Sequence, residues 1–334
     1  MTSLLTSPGT SAPLPASSHD ESQGLAVVSL SPARLALRRY LRHRAAMIAT
    51  GLLAVITAMV LLAPLIAPFG QADLVGDPKT AKINYLRPQG KYWFGTDSIG
   101  HDLYSRILWG GRVSLFIGLA VALSAGIIGT AVGAFAGFRG GRFDDFLMRF
   151  TDLFLAFPLL VTLLIVRQLP KVSQRGGRNI WARLLGDPGS MRLVITLLTL
   201  VAWTGTARIV RGVVLSLKEK EFVEAARALG ATDRRIVTRH LVPNAIGPIM
   251  VSMTFTVAAA IGLESTLSYF GFGVQPPNTS WGTLLSDSKN YVTQGKWWLV
   301  LFPSMALLLT VLAVNFMGDG LRDALDPKQN RMRA

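Results

Sequence analysis

The feature that most constrains the fold of this chain is a series of long apolar segments separated by charged ones. Half of the 334 residues are hydrophobic and only 16% are charged. About 20 apolar residues in helical conformation are enough to cross the hydrocarbon core of a bilayer, and a spanning segment must satisfy its own backbone hydrogen bonds. We therefore predict an all-α membrane protein with about six transmembrane helices. The predicted spans are residues 46–67, 113–138, 150–167, 191–213, 244–263 and 299–318.

The charges around the first span predict its orientation. Five arginines precede it, and no acidic residue occurs in 31–45. Because basic residues are retained on the cytoplasmic side, the N-terminus is expected in the cytoplasm, and six spans return the C-terminus there as well. Residues 1–30, rich in Ser, Pro and Ala, are predicted to be a disordered tail, and 31–334 to be the transmembrane domain. The basic segment 167–192 falls outside in this topology, against the charge rule, so its sidedness and role stay open.

Composition excludes several classes of function. The formal net charge is +15, but the basic residues flank the apolar runs, so membrane lipid and not nucleic acid is the expected partner. There are no cysteines and only four histidines, which lie far apart in the sequence, so no metal site is expected. Neither His-Glu-x-x-His nor Gly-x-Ser-x-Gly occurs, which argues against a membrane-embedded enzyme. The only Gly-Lys pairs lack the rest of a phosphate-binding loop, so we expect no ATP hydrolysis on this chain.

Segment 214–243, predicted to be cytoplasmic, has the pattern of a short helix pair. Phe222, Ala226 and Leu229 share one face of a first helix, and Gly230 follows where a left-handed C-terminal cap is expected. Thr232 or Asp233 can cap a second helix that carries Ile236, Val237 and His240 on one side. The pair fits either an amphipathic element on lipid headgroups or a docking surface for another chain.

Motifs in and around this segment resemble one family. The spacing Glu224-Ala225-Ala226, Gly230 and Pro243 resembles the Glu-Ala-Ala loop of ABC importer permeases. The ending Arg239-His240-Leu241-Val242-Pro243-Asn244 is similar to that of the dipeptide/oligopeptide/nickel group, with Val242 in place of Leu. Three further blocks, 94–106, 267–282 and 315–327, resemble the same group.

The resemblance implies a type I ABC importer permease in the bacterial inner membrane. It would form half of a pathway for di- or oligopeptides or related small solutes, together with a second homologous permease. Two cytoplasmic ATP-binding subunits would carry ATP and Mg, leaving this chain without a cofactor, and an extracytoplasmic binding protein would deliver substrate. The residues implied in ATPase coupling are Glu224, Ala225, Ala226, Arg227, Gly230, Arg235, His240 and Pro243. The alternative is an ion-coupled secondary transporter, which the lack of a charge near the centre of any span disfavours.

Other polar and aromatic residues have simpler interpretations. Asp97 and Arg106 are expected to form a local turn and ion pair, and Trp281, Trp297 and Trp298 to lie at the membrane interface as anchors. Gly129, Gly133 and Gly137 recur every four residues, which predicts a helix face that another helix approaches closely.

Overall fold

The computed structural model describes residues 32–75, 84–156, 161, 165, 187 and 189–326. These residues are mainly helical and contain no β-sheet, only isolated β-bridges. The tail predicted at 1–30 and most of the basic segment 167–192 lie outside the described residues.

Twelve α-helices are numbered here in chain order within the described residues. The first six are α1 (Pro32–Arg42), α2 (Arg44–Leu61), α3 (Ala63–Ile66), α4 (Leu103–Arg139), α5 (Gly141–Ala156) and α6 (Met191–Leu217). The others are α7 (Glu221–Ala228), α8 (Asp233–Ile236), α9 (Val242–Asn244), α10 (Ile246–Tyr269), α11 (Trp281–Ser288) and α12 (Trp298–Leu325). A π-helical turn, Val237–Leu241, joins α8 to α9, and a 3₁₀ turn, Val292–Gln294, precedes α12.

Five of these helices are long and apolar enough to cross a membrane, namely α2, α4, α6, α10 and α12. Each overlaps one predicted span, and α4 and α12 extend well beyond theirs at one end, where polar residues continue the helix outside the apolar stretch. The remaining predicted span, 150–167, begins within α5, and most of its second half lies outside the described residues.

Helices α4 and α6 pack closely through the predicted glycine face. A Cβ atom added at Gly133 would lie 2.3 Å from the carbonyl oxygen of Ala207, and one at Gly129 would lie 2.7 Å from that of Trp203. Such distances leave no room for a side chain, so glycine is required for the two backbones to meet. The close approach predicted from the four-residue spacing is confirmed.

A buried polar cluster fastens α11 to the bundle at the end opposite α7. The Glu264 carboxylate on α10 is fully buried, and its Oε1 accepts hydrogen bonds from Ser268 Oγ and Ser280 Oγ, each at 2.7 Å. Ser280 also begins α11 with a reciprocal capping box shared with Thr283. Next to it, Trp281 Nε1 donates to the Ile107 carbonyl at 2.9 Å. These bonds fix the start of α11 against both α10 and α4.

The predicted turn and ion pair before α4 are confirmed. Asp97 Oδ1 accepts from the backbone N–H groups of Ile99, Gly100 and His101, and Oδ2 lies 2.9 Å from His101 Nδ1 and 2.5 Å from Arg106 Nη1. Burial disfavours the charged carboxylate, but the hydrogen bonds from His101 and the charge of Arg106 outweigh it and hold the pKa of Asp97 below its usual range. Asp97 is therefore a structural anion.

The expectation that all three tryptophans are interfacial anchors is wrong for two of them. Trp281 and Trp298 are buried in one apolar cluster with Leu103, whereas Trp297 is exposed. The cluster forms because α11 and α12 pack on the start of α4, which buries indole rings that the local sequence could equally have placed in the headgroup region.

Candidate coupling surface

Helix α7 lies directly after α6 and is held against it by a small apolar cluster. Val223 on α7 is fully buried and Ala226 is nearly so. They pack in one cluster with α6 and with the segment that leads into α10, through Val210, Val214, Ile236, Val237, Leu241, Ala245 and Ile249. One side of α7 is thus part of the protein core, in contact with two long helices or their extensions.

The opposite side of α7 is open. Glu224, Ala225 and Arg227 are exposed, and the Leu229 side chain that follows the helix is 89% exposed. Glu221 and Glu224 occupy the first turn and Arg227 the last, which complements the helix dipole at both ends. We call the surface formed by Glu224, Ala225, Arg227 and Leu229 the coupling face.

The three residues predicted to share one face of this helix differ in exposure. Phe222 and Leu229 are exposed, whereas Ala226 is buried. The helix ends at Ala228, so Leu229 is no longer on the helical face that its sequence spacing implied. Val223 takes the buried position instead, and Leu229 becomes an exposed apolar residue that sequence reasoning missed as a contact candidate.

Gly230 closes α7 as predicted. Its φ is +77°, in the left-handed region, and its N–H donates to the Arg227 carbonyl while the Ala231 N–H donates to the Ala226 carbonyl, both at 3.0 Å. This pair of bonds is the Schellman motif, which satisfies the last carbonyls of the helix and reverses the chain. Gly230 therefore sets the direction in which the chain leaves the coupling face.

The second element of the predicted helix pair is not a separate helix. Thr232 occupies the N-cap position of α8 without a side-chain cap bond, and the four-residue α8 continues through the π-helical turn into α9 and α10. Pro243 is in the first turn of α9, where proline is tolerated. After the turn at Gly230, an almost unbroken helical path therefore leads from α8 into α10.

The predicted site residues differ in exposure. Glu224, Ala225, Arg227, Gly230, Arg235 and Pro243 are exposed, His240 is half-buried and Ala226 is buried. The side-chain amide Nδ2 of Asn244, in α9, donates to the His240 carbonyl at 2.6 Å. Ala226 thus packs inward against the apolar cluster. The part of the chain that the structure describes contains no group of three His, Cys, Asp or Glu residues placed to hold a metal ion.

Comparison with known proteins gives two family matches that together cover most of the chain. Residues 129–331 match the family described as the inner membrane component of binding-protein-dependent transport systems. Residues 31–88 match the N-terminal transmembrane domain of oligopeptide transport permease C.

Curated relatives align along nearly the whole length. The dipeptide transport system permease protein DppC of Bacillus subtilis is 38% identical over 91% of this chain and 88% of its own length. The oligopeptide transport system permease protein OppC is 39% identical in Bacillus subtilis, over 90% of this chain and 91% of its own length. The Haemophilus influenzae OppC is 40% identical over 88% of each chain.

The fold is also found in a solved transporter. A chain of the methionine ABC transporter MetNI in an inward-facing conformation superposes with a TM-score of 0.52, covering 65% of this chain and 94% of that one, at 20% identity. The type I ABC importer permease fold expected from the sequence is thereby confirmed. The chain belongs to the inner-membrane component family of binding-protein-dependent transport systems and is a multi-pass inner-membrane protein.

Proposed function

We propose that this chain is a permease subunit of an ATP-driven peptide importer and that its coupling face receives the movement of a cytoplasmic ATPase. The observation that carries the proposal is the division of α7 into a side exposed to solvent and a side built into the core. Glu224 and Leu229 are available to a partner, while Val223 is buried against α6 and the chain leading to α10.

This arrangement can transmit displacement. Protein interiors are close-packed and barely compressible, so a shift of α7 must move the residues that contact Val223 and Ala226. Those residues belong to α6 and to the segment that leads into α10, and both α6 and α10 are membrane-spanning helices. A partner that pushes or pulls the coupling face would therefore reorient these two helices.

The remaining roles follow from the same proposal. ATP and Mg bind to two partner ATPases, this chain contributes no catalytic residue, and a second homologous permease completes the pathway. An extracytoplasmic binding protein supplies substrate. The names of the relatives support a di- or oligopeptide substrate, since they are dipeptide and oligopeptide permeases at 38–40% identity. The same proposal keeps both chain termini and 214–243 in the cytoplasm.

The test begins with co-purification. The chain is expressed with its genomic neighbours, isolated in detergent through an affinity tag and reconstituted with the binding protein. We expect a second permease and ATPase chains to co-elute, and peptide uptake to require ATP. Uptake by this chain alone in ATP-free liposomes would instead identify an ion-coupled secondary transporter.

The coupling face is then tested by charge reversal. Glu224→Arg is expected to abolish uptake and to uncouple ATP hydrolysis from transport, while membrane insertion is unchanged. Asp145→Arg is the matched control, because Asp145 is an exposed acid on α5, outside α7. Wild-type uptake in the Glu224→Arg importer would show that α7 is not the coupling element.

A further inference from the structure

Two ion pairs join α5 to α6, and they differ sharply in exposure. Arg211 makes a bidentate bond with Asp144, with Nε and Nη2 each 2.6 Å from a carboxylate oxygen, and the Asp144 side chain is only 7% exposed. Arg208 pairs with Asp152 through a single Nη2 bond, and their side chains are 46% and 61% exposed. The first pair is a structural link, whereas the second leaves most hydrogen-bonding positions of both groups free for another partner.

Arg208 lies within α6, one of the helices long and apolar enough to cross a membrane, and its partner Asp152 lies on the neighbouring α5. Arg208 is nine residues before the end of α6 at Leu217, a rise of about 13 Å. Charged side chains are costly where they face hydrocarbon, and those in membrane-spanning helices almost always face protein or a water-filled cavity. This face of α6 is therefore expected to meet water or protein.

The rest of the open face is shaped to admit a molecule. On the same helical face as Arg208, a Cβ atom at Gly205 or Gly212 would have no atom within 4 Å among the described residues. Ile209, on this face too, borders an open cavity of about 500 Å³ between α6, α10 and α12. The cavity is lined mainly by apolar residues, together with Ser252, Arg322 and Asp326. Its size is within the usual range for small-ligand sites.

We propose that this open face of α6 lines the translocation pathway and that Arg208 and Asp152 bind the two charged ends of a zwitterionic peptide. The guanidinium group receives the terminal carboxylate, with which it can form two parallel hydrogen bonds, and the Asp152 carboxylate receives the terminal ammonium group. The two groups hold each other in the absence of peptide, so neither charge is left alone in the membrane. This inference rests on the proposed function and adds to it the residues that contact substrate.

Cysteine accessibility tests the location. The chain contains no cysteine, so Arg208→Cys and Gly212→Cys introduce unique thiols on this subunit. In the assembled importer, a charged, membrane-impermeant thiosulfonate is expected to modify both, and transported peptide to slow the reaction at residue 212, where Arg208 and Asp152 are both intact. Ile127→Cys is the control, because Ile127 is 70% exposed on an apolar stretch of α4. Labelling of residue 208 as slow as that of residue 127 would place the face against lipid or the partner permease and overturn the inference.

Charge substitutions test the contact with peptide. Arg208→Gln and Asp152→Asn are expected to lower uptake of a free dipeptide by about tenfold, the effect of losing one charge-assisted hydrogen bond. Assembly should be retained, and uptake of a peptide blocked at both ends should fall much less than uptake of the free dipeptide. Asp144→Asn, which breaks the buried pair, should instead reduce the yield of assembled importer.

The outcomes separate the two proposals. Absence of ATP-driven peptide uptake in the wild-type importer would contradict the proposed function. If the wild type transports peptides but both variants reduce blocked and free peptides equally, the pair is only a link between α5 and α6, and the inference alone fails.

Discussion

Ser280 Oγ donates a 2.7 Å hydrogen bond to Glu264 Oε1, which ties the first residue before α11 to a fully buried side chain of α10. The same oxygen accepts from Ser268. Close packing around the bond is severe, because a Cβ atom at Gly282 would lie 2.5 Å from Ser265 Cα. The position of α11 therefore depends on one carboxylate and its hydroxyl donors.

Replacing Glu264 should destabilise the fold, and the loss of stability should depend on whether the new side chain can still accept hydrogen bonds. Glu264→Leu leaves two buried hydroxyl groups without their acceptor, and each costs about 1–3 kcal/mol. Glu264→Gln retains an oxygen that can accept from both serines, so it should lower stability less than Glu264→Leu does. Thermal unfolding of the detergent-purified protein measures the difference. Equal unfolding temperatures for the two variants would contradict the assigned hydrogen bonds.

The crossing of α4 and α6 should be intolerant of one added methyl group. In Gly133→Ala the new Cβ would meet the Ala207 carbonyl oxygen at 2.3 Å, so the helices must separate, at a cost of about 1–3 kcal/mol. Gly51→Ala in α2 is the control, since a Cβ there has no neighbour within 4 Å and alanine favours the helix. We expect a lower unfolding temperature for Gly133→Ala only. A similar decrease in both would indicate that helix packing at Gly133 is not the cause.

The Asp97 network should give a pH-dependent contribution to stability. Because the pKa of Asp97 is lowered in the folded protein, its contribution is present above the unfolded pKa of about 4 and is lost as pH falls through the folded pKa. Asp97→Asn is expected to be destabilised by about 2–4 kcal/mol at pH 7, where Arg106 and His101 lose a charged acceptor. Between pH 7 and pH 3, the difference in unfolding temperature between wild type and variant should be constant down to about pH 4. It should then begin to narrow, and part of it should remain at pH 3 because the folded pKa lies lower still. A difference that stays constant with pH would exclude the ion pair as its source.

Substitutions at Leu229 and Val223 should separate effects on partner binding from effects on folding. Leu229→Ala removes an exposed side chain, so stability should change by less than about 0.5 kcal/mol. If the ATPase covers the coupling face, its affinity for the permease should fall by about five- to tenfold. Val223→Ala removes buried methyl groups and should lower stability by about 1–3 kcal/mol. Titration of purified ATPase onto permease in nanodiscs gives the affinities, and unchanged binding of Leu229→Ala would remove this residue from the interface.

Much of the fold could be predicted from the sequence because lipid imposes simple rules. Apolar length gave the positions of α2, α4, α6, α10 and α12, and the spacing of Gly129, Gly133 and Gly137 gave a close helix contact. The left-handed cap at Gly230 followed from residue type and position.

The errors arose where tertiary contacts decide the outcome. Leu229 was placed on one helical face with Ala226, but α7 ends one residue earlier, and Leu229 is exposed while Ala226 is buried. Trp281 and Trp298 were expected at the interface, but α11 and α12 bury them against α4. Neither result can be read from local periodicity, because each depends on which surface a distant segment covers.

The glycine contacts between α4 and α6 also limit which motions are possible. Where two backbones touch without intervening side chains, there is no flexible layer that could absorb sliding or tilting. A 37-residue helix and a 27-residue helix are thus joined into a single stiff body that includes the cluster beneath α7. Any change of shape during a transport cycle must then occur at the borders of this body, and its inner contacts should be the same in every state of the cycle.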